Sequence, residues 1–177
     1  MDELFDLVDD QGRITGTATR SQCHGNPKLI HRAVHVLVFN SSGRLYLQRR
    51  SESKLIQPGK WDSSVGGHLS HGESFVTAAL RETSEELGFE PSALEYLFAF
   101  QVRNEIESEN TETYLAIHDG AIRPDPEEID EGRYWEHSDI VVRLGTGTFT
   151  PVFEHEFGLL RRSQNALYCS IREKLVP

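Results

Sequence analysis

The sequence predicts an α/β fold, a sandwich of helices around a central mixed sheet. Three observations carry that prediction. Runs at 33–39, 94–102 and 112–118 are rich in β-branched and aromatic residues and read as strands. A strong helical pattern at 74–87 interrupts them. Further helical patterns cover roughly 137–143 and 153–174, so strands and helices are interleaved along the chain. A length of 177 residues suits one domain over 1–177, with 1–30 as N-terminal strands and a loop leading into the core.

The elements follow in order. Residues 4–18 (LFDLVDDQGRITGTA) read as two short strands around a turn at Asp9–Gly12, and the loop RSQCHGNPKL comes next. AVHVLVF (33–39), the turn NSSG and RLYLQR (44–49) form a hairpin. In WDSSVGGHLSHGE the paired glycines mark a backbone approached closely by something. Helix 74–87 has Ser74 as N-cap and Gly88 where a left-handed C-terminal residue is wanted. At about 100° per residue, Phe75, Val76, Ala79, Leu80, Thr83 and Leu87 share one side, with Glu82, Glu85 and Glu86 on an adjoining edge. A last strand is expected at 132–136.

Composition narrows the function classes. With 18 basic and 28 acidic residues the net charge is -10, which argues against a nucleic-acid polymer as partner. Anionic small molecules stay open if bound cations or a local basic pocket reverse the sign. Cys23 and Cys169 form no CxxC pair and are expected as reduced thiols. The acidic start MDELFDLVDD lacks signal-peptide character, and no apolar run reaches the roughly 18 residues of a membrane span. These observations predict a soluble cytoplasmic protein with no membrane partner. Its oligomeric state is open, a homodimer included.

The helix at 74–87 poses the chemical question. Glu82, Glu86 and Glu90 stand at i, i+4 spacing, a ladder of like charges that costs a few tenths of a kcal/mol per pair. No lysine answers them, and Arg81 meets Glu85 only with the cation first, the weaker order. A solvated surface would not need this pattern. Hard divalent cations such as Mg²⁺ or Mn²⁺ would, because they take oxygen ligands and bridge phosphates.

Gly67, five residues, Glu73, seven residues, Arg81-Glu82, two residues, Glu85-Glu86, one residue, Gly88 resembles the Nudix box, seven identities within 23 residues. The resemblance implies a Nudix-like α/β/α sandwich with a loop-helix-loop catalytic motif. It implies hydrolysis of a diphosphate in a nucleoside diphosphate linked to another group. Glu82, Glu85 and Glu86 would then be catalytic and hold Mg²⁺ or Mn²⁺, Gly67 would offer its carbonyl, and Glu82 is the candidate general base. Glu73, Arg81 and Gly88 would brace the motif. Thr83 departs from the aliphatic residue of the pattern and is expected to cost packing. A later loop commonly adds an acid, and in PDPEEIDEGRYW Glu128 is chosen over Glu127 and Glu131.

From about Asp6 to Trp135 the chain also resembles the branch containing type 1 isopentenyl-diphosphate isomerase. That resemblance implies substrate-binding Arg50 and Lys54, and a second metal set of His24, His31, His68 and Glu112. Each histidine taken alone reads equally as a hydrogen-bonded residue. Trp61 reads either as a stacking platform or as core. Gly66 stands where the isomerases carry a catalytic cysteine, and glycine cannot move the proton that isomerisation requires. The expectation is therefore a divalent-metal-dependent diphosphate hydrolase acting on a small molecule. The alternatives are an isopentenyl-diphosphate isomerase-like enzyme or a non-catalytic nucleotide-binding module.

Overall fold

The computed structural model describes residues 2–54 and 56–173. A hairpin of β1 (Leu4–Val8) and β2 (Ile14–Thr19) leads through the short helix α1 (Arg20–Cys23) into β3 (Ile30–Phe39). Then come β4 (Leu45–Arg50), β5 (Trp61–Asp62), β6 (Val65–His68) and helix α2 (Phe75–Leu87). Strands β7 (Glu95–Arg103), β8 (Ser108–Ile117) and β9 (Ile129–Trp135) precede α3 (His137–Val141), α4 (Pro151–Arg162) and α5 (Ala166–Glu173).

The larger sheet runs β5-β4-β3-β8-β7, with β6 also on β3 and β9 on β4. β3 and β8 are parallel from Ile30↔Ser108 to Phe39↔Ile117, and the remaining pairs are antiparallel, so the sheet is mixed. Alternation on β3 explains why both faces are covered. Val34, Val36 and Val38 pack with Ala78, Ala79 and Leu87 of α2. Leu37 and Phe39 pack on the other face with Phe153, Phe157 and Leu160 of α4 and Ile171 of α5. This is the expected α/β/α sandwich.

Several expectations shift in detail. β3 and β8 each begin before the predicted strands, because polar stretches (IHR, SENT) pair with each other there. The single predicted helix 153–174 is two helices, broken where Ser163 turns extended (φ -61, ψ 138); its last residue, 174, lies outside the described residues. The short helix α1 falls in what the sequence presents as a loop.

The stripe on α2 is also rotated. Val76 and Leu80 are 48% and 38% exposed, while Ala78, Ala79, Thr83, Glu86 and Leu87 are buried. Glu86 therefore lies within the buried stripe, not beside it. Thr83 is accommodated because its hydroxyl donates to the Ala79 carbonyl at 2.6 Å. Both ends of α2 match the sequence: the Ser74 hydroxyl accepts from the Thr77 N–H, and Gly88 closes the helix at φ 70. Among the described residues no helix is long and apolar enough to cross a membrane.

Candidate active site

The loop before α2 folds back on the helix through Arg81. Its guanidinium donates to both oxygens of Glu73 (3.0 and 2.8 Å), to the His68 carbonyl (3.0 Å), to Glu82 (2.8 Å) and to Glu85 (3.1 Å). Glu73 in turn accepts from the Ser70 N–H at 2.9 Å. Arg81 is thus committed to the loop and the near edge of the helix. Gly67 has a steric reason: a Cβ there would lie 2.0 Å from the Glu82 carboxyl carbon. Only glycine lets Glu82 lie across strand β6.

Glu86 is 8% exposed, and its Oε2 accepts from Gln48 at 2.8 Å. Burial and then the nearby Glu82 charge push its pKa up to about 8, although Gln48 and the Gly66 N–H favour the anion. Burial also raises Glu82, against the pull of Arg81. Glu85 is more exposed, on the rim. The buried Glu86 and the half-buried Glu82, close enough for the one charge to raise the other, are a fitting hard-oxygen donor set for a divalent ion.

These groups form one wall of a cleft of about 1000 Å³, which Gly66, Gly67, Arg50, Lys54, Asp62, Asp125 and Glu128 also line. Arg50 donates to the Ile56 carbonyl (3.1 Å) and to Asp62 (3.3 Å), which accepts from Thr150 (2.8 Å). Lys54 is ion-paired with Glu128. Burial, then Arg50, lowers the Lys54 pKa. Of the three later acids, Glu128 is the one lining the cleft. Glu131 lies beside Arg49 and Arg133 instead. Trp61 is core, edge-on to Trp135 at 5.0 Å.

His24 and His68 also line the cleft, and the buried His31 converges with them. One nitrogen from each of His24, His31 and His68 lies within 4.8 Å of the others. His24 Nε2 and both His31 nitrogens are buried without hydrogen-bond partners among the described residues. Burial, then the neighbouring His68, lowers the His24 pKa to about 4, which keeps it neutral and able to ligate. The carboxylate here is Glu109, 2.9 Å from His68 Nε2 and 3.5 Å from His31 Nε2. Burial would raise Glu109, but the neighbouring imidazoles of His31 and His68 win and hold it low. The expected Glu112 is not part of the cluster: its carboxylate accepts from the Tyr114 hydroxyl at 2.6 Å. Three imidazoles, two of them with unpartnered nitrogens, and a carboxylate fit a transition-metal ion.

Comparison with known proteins agrees with this geometry. The Nudix domain model matches residues 29–153. The chain belongs to the Nudix family. An isopentenyl-diphosphate Delta-isomerase of Streptomyces griseus is 34% identical over 156 residues, covering 85% of this chain and 79% of that protein. A Nudix hydrolase of Streptomyces coelicolor, itself uncharacterized, is 34% identical over 157 residues, covering 85% and 83%. A solved protein from Deinococcus radiodurans superposes with a TM-score of 0.72 at 26% identity, covering 97% of this chain and 98% of its own. Membership accounts for an enzyme whose chemistry uses divalent cations and a small-molecule substrate.

Sequence reasoning missed Glu109, and it missed the pair of His35, which lines the same cleft, and the buried Glu156 (3.0 Å). A signal for Glu156 was available. It shares the core phase of α4 with Phe153, Phe157 and Leu160, an unusual place for a carboxylate.

Proposed function

We propose that this Nudix protein hydrolyses a diphosphate linkage in a nucleoside diphosphate joined to a second group, or in a related compound, with Mg²⁺ or Mn²⁺. The observation that carries the reading is the pair Glu82 and Glu86: Glu86 is buried with no ion-pair partner among the described residues, Glu82 stands close enough for its charge to raise it, and both open on a cleft that holds Arg50 and Lys54. Glu82, Glu85 and Glu86 would hold the cation, with Gly67 and Glu128 beside them. When bound, that cation supplies charge neutralisation of the phosphates and lowers the pKa of a coordinated water.

The chain's own residues do the rest. Glu82, anchored through Oε1 on Arg81, is positioned to take a proton from the attacking water. Arg50 and Lys54 draw the diphosphate in and orient it in an otherwise acidic protein. His24, His31, His68 and Glu109 would hold a second, softer cation.

A second reading has a specific observation behind it. Relatives named isopentenyl-diphosphate isomerase share a third of the aligned residues with this chain, and the histidine cluster is in place. Gly66 weighs against it, since it offers no proton donor on that strand. Incubation with Mg²⁺ and a panel of nucleoside diphosphates, dinucleotide polyphosphates and isopentenyl diphosphate separates the two. Phosphate release that disappears in Glu86→Gln supports hydrolysis, whereas conversion of isopentenyl diphosphate to its allylic isomer overturns it.

A further inference from the structure

Beside Gly66, whose N–H also serves Glu86, lies a charged pair that hydrolysis leaves unused, and its histidine lines the cleft. Glu156 on α4 is fully buried and accepts three hydrogen bonds: from His35 Nδ1 (3.0 Å), from Thr113 Oγ1 (2.6 Å) and from Ser63 Oγ. A carboxyl group accepting from three donors is ionised. Burial alone would raise its pKa, but the His35 charge and these bonds hold it low. His35 Nδ1 is therefore the donor, and Nε2 points away from Glu156.

Nε2 makes no hydrogen bond among the described residues and lies against Gly66. A Cβ on Gly66 would stand 3.4 Å from His35 Nε2, and both residues line the cleft. Burial opposes the charged imidazole, but Glu156 outweighs it and lifts its pKa to about 9. The other cleft cations face carboxylates: Arg50 meets Asp62 and Lys54 meets Glu128. His35 instead has one N–H fixed from behind and one turned to the cleft.

We propose that His35 is a substrate-binding residue whose Nε2–H donates to a phosphate oxygen of the bound diphosphate, with Glu156, Ser63 and Thr113 holding the ring in place. The proposal rests on the diphosphate reading above and adds a cationic donor beside Gly66. A charge-assisted bond of this kind contributes roughly 10- to 100-fold in affinity.

The test is calorimetric titration of the full chain with methylenebisphosphonate, a non-hydrolysable diphosphate, in Mg²⁺. His35→Gln is expected to bind at least tenfold more weakly than wild type. In ¹⁵N spectra of wild type the His35 Nε2 resonance should move on addition, which a merely structural pair would not show. If His35→Gln does not fold, Gly66→Ala serves, since its methyl group reaches Nε2 in ordinary contact. It should weaken the same binding with an unchanged melting temperature. Equal affinities in wild type and variant, an unmoved Nε2 resonance, or no binding by wild type overturns the proposal. His35-dependent binding without turnover of any diphosphate would sink hydrolysis and leave this inference standing. Turnover with His35-independent binding would do the reverse.

Discussion

Glu86 on α2 and Glu156 on α4 are the same side chain, both buried, on helices that cover opposite faces of the sheet; Glu86 lines the cleft, and Glu156 stands behind His35, which does. Glu156 has a cation at 3.0 Å and two hydroxyl donors, so it is held ionised. Glu86 has an amide, a backbone N–H and another carboxylate for company, and its pKa rises to about 8. Burial is common to both; what differs is whether the protein supplies the positive charge. A carboxylate matched from within holds structure together. One left unmatched beside a cleft is where a ligand completes the electrostatics.

The contrast can be broken most sharply at Glu156. Glu156→Gln leaves the His35 cation buried without its partner and should cost about 3–5 kcal/mol by urea unfolding. Glu86→Gln should cost little or even stabilise the metal-free chain. Similar losses in both variants would erase the distinction.

The pH dependence sharpens it next. His35, raised from 6.5 to about 9, contributes stability fully below pH 6.5 and loses it as pH climbs through 9, roughly 3 kcal/mol. Glu86, raised from 4.5 to about 8, keeps its proton longer in the folded chain, so metal-free stability also falls as pH rises from 4.5 to 8. Saturating Mg²⁺ should abolish the Glu86 window and leave the His35 window intact, as melting curves across pH would show. At 100 times its dissociation constant the cation should add about 2.7 kcal/mol.

Smaller effects come from the frame. Gly67→Ala puts a Cβ 2.0 Å from the Glu82 carboxyl carbon, so about 1–3 kcal/mol of stability should go. Glu82 must also leave its position, so cation binding should weaken. Leu80→Ser, on the exposed flank of α2, should stay within about 0.5 kcal/mol by the same denaturation measurement.

The Nudix box was legible because its chemistry is local: one helix and the loop before it fix Gly67, Glu73, Arg81 and the glutamates by spacing alone. The histidine site was only half legible. His24, His31 and His68 could be proposed, but the acid beside them depends on the parallel register of β8 on β3, which sets His31 opposite Glu109. Strand parity then puts Glu112 on the face of Tyr114, away from the cluster. His35 and Glu156 lie 121 residues apart and meet only when α4 packs on the sheet. On α2, hydrophobicity marked a stripe but not which flank faces the sheet. The small Ala78 and Ala79 face inward, while Val76 and Leu80 do not.

The most direct test is Mn²⁺ titration of the chelator-treated protein, read by calorimetry, for wild type, Glu86→Gln and His35→Gln. An unmatched Glu86 predicts that Glu86→Gln weakens cation binding at least tenfold, while His35→Gln, on the matched side, leaves it unchanged. Equal Mn²⁺ affinity in wild type and Glu86→Gln would contradict the assignment of this edge as the metal site.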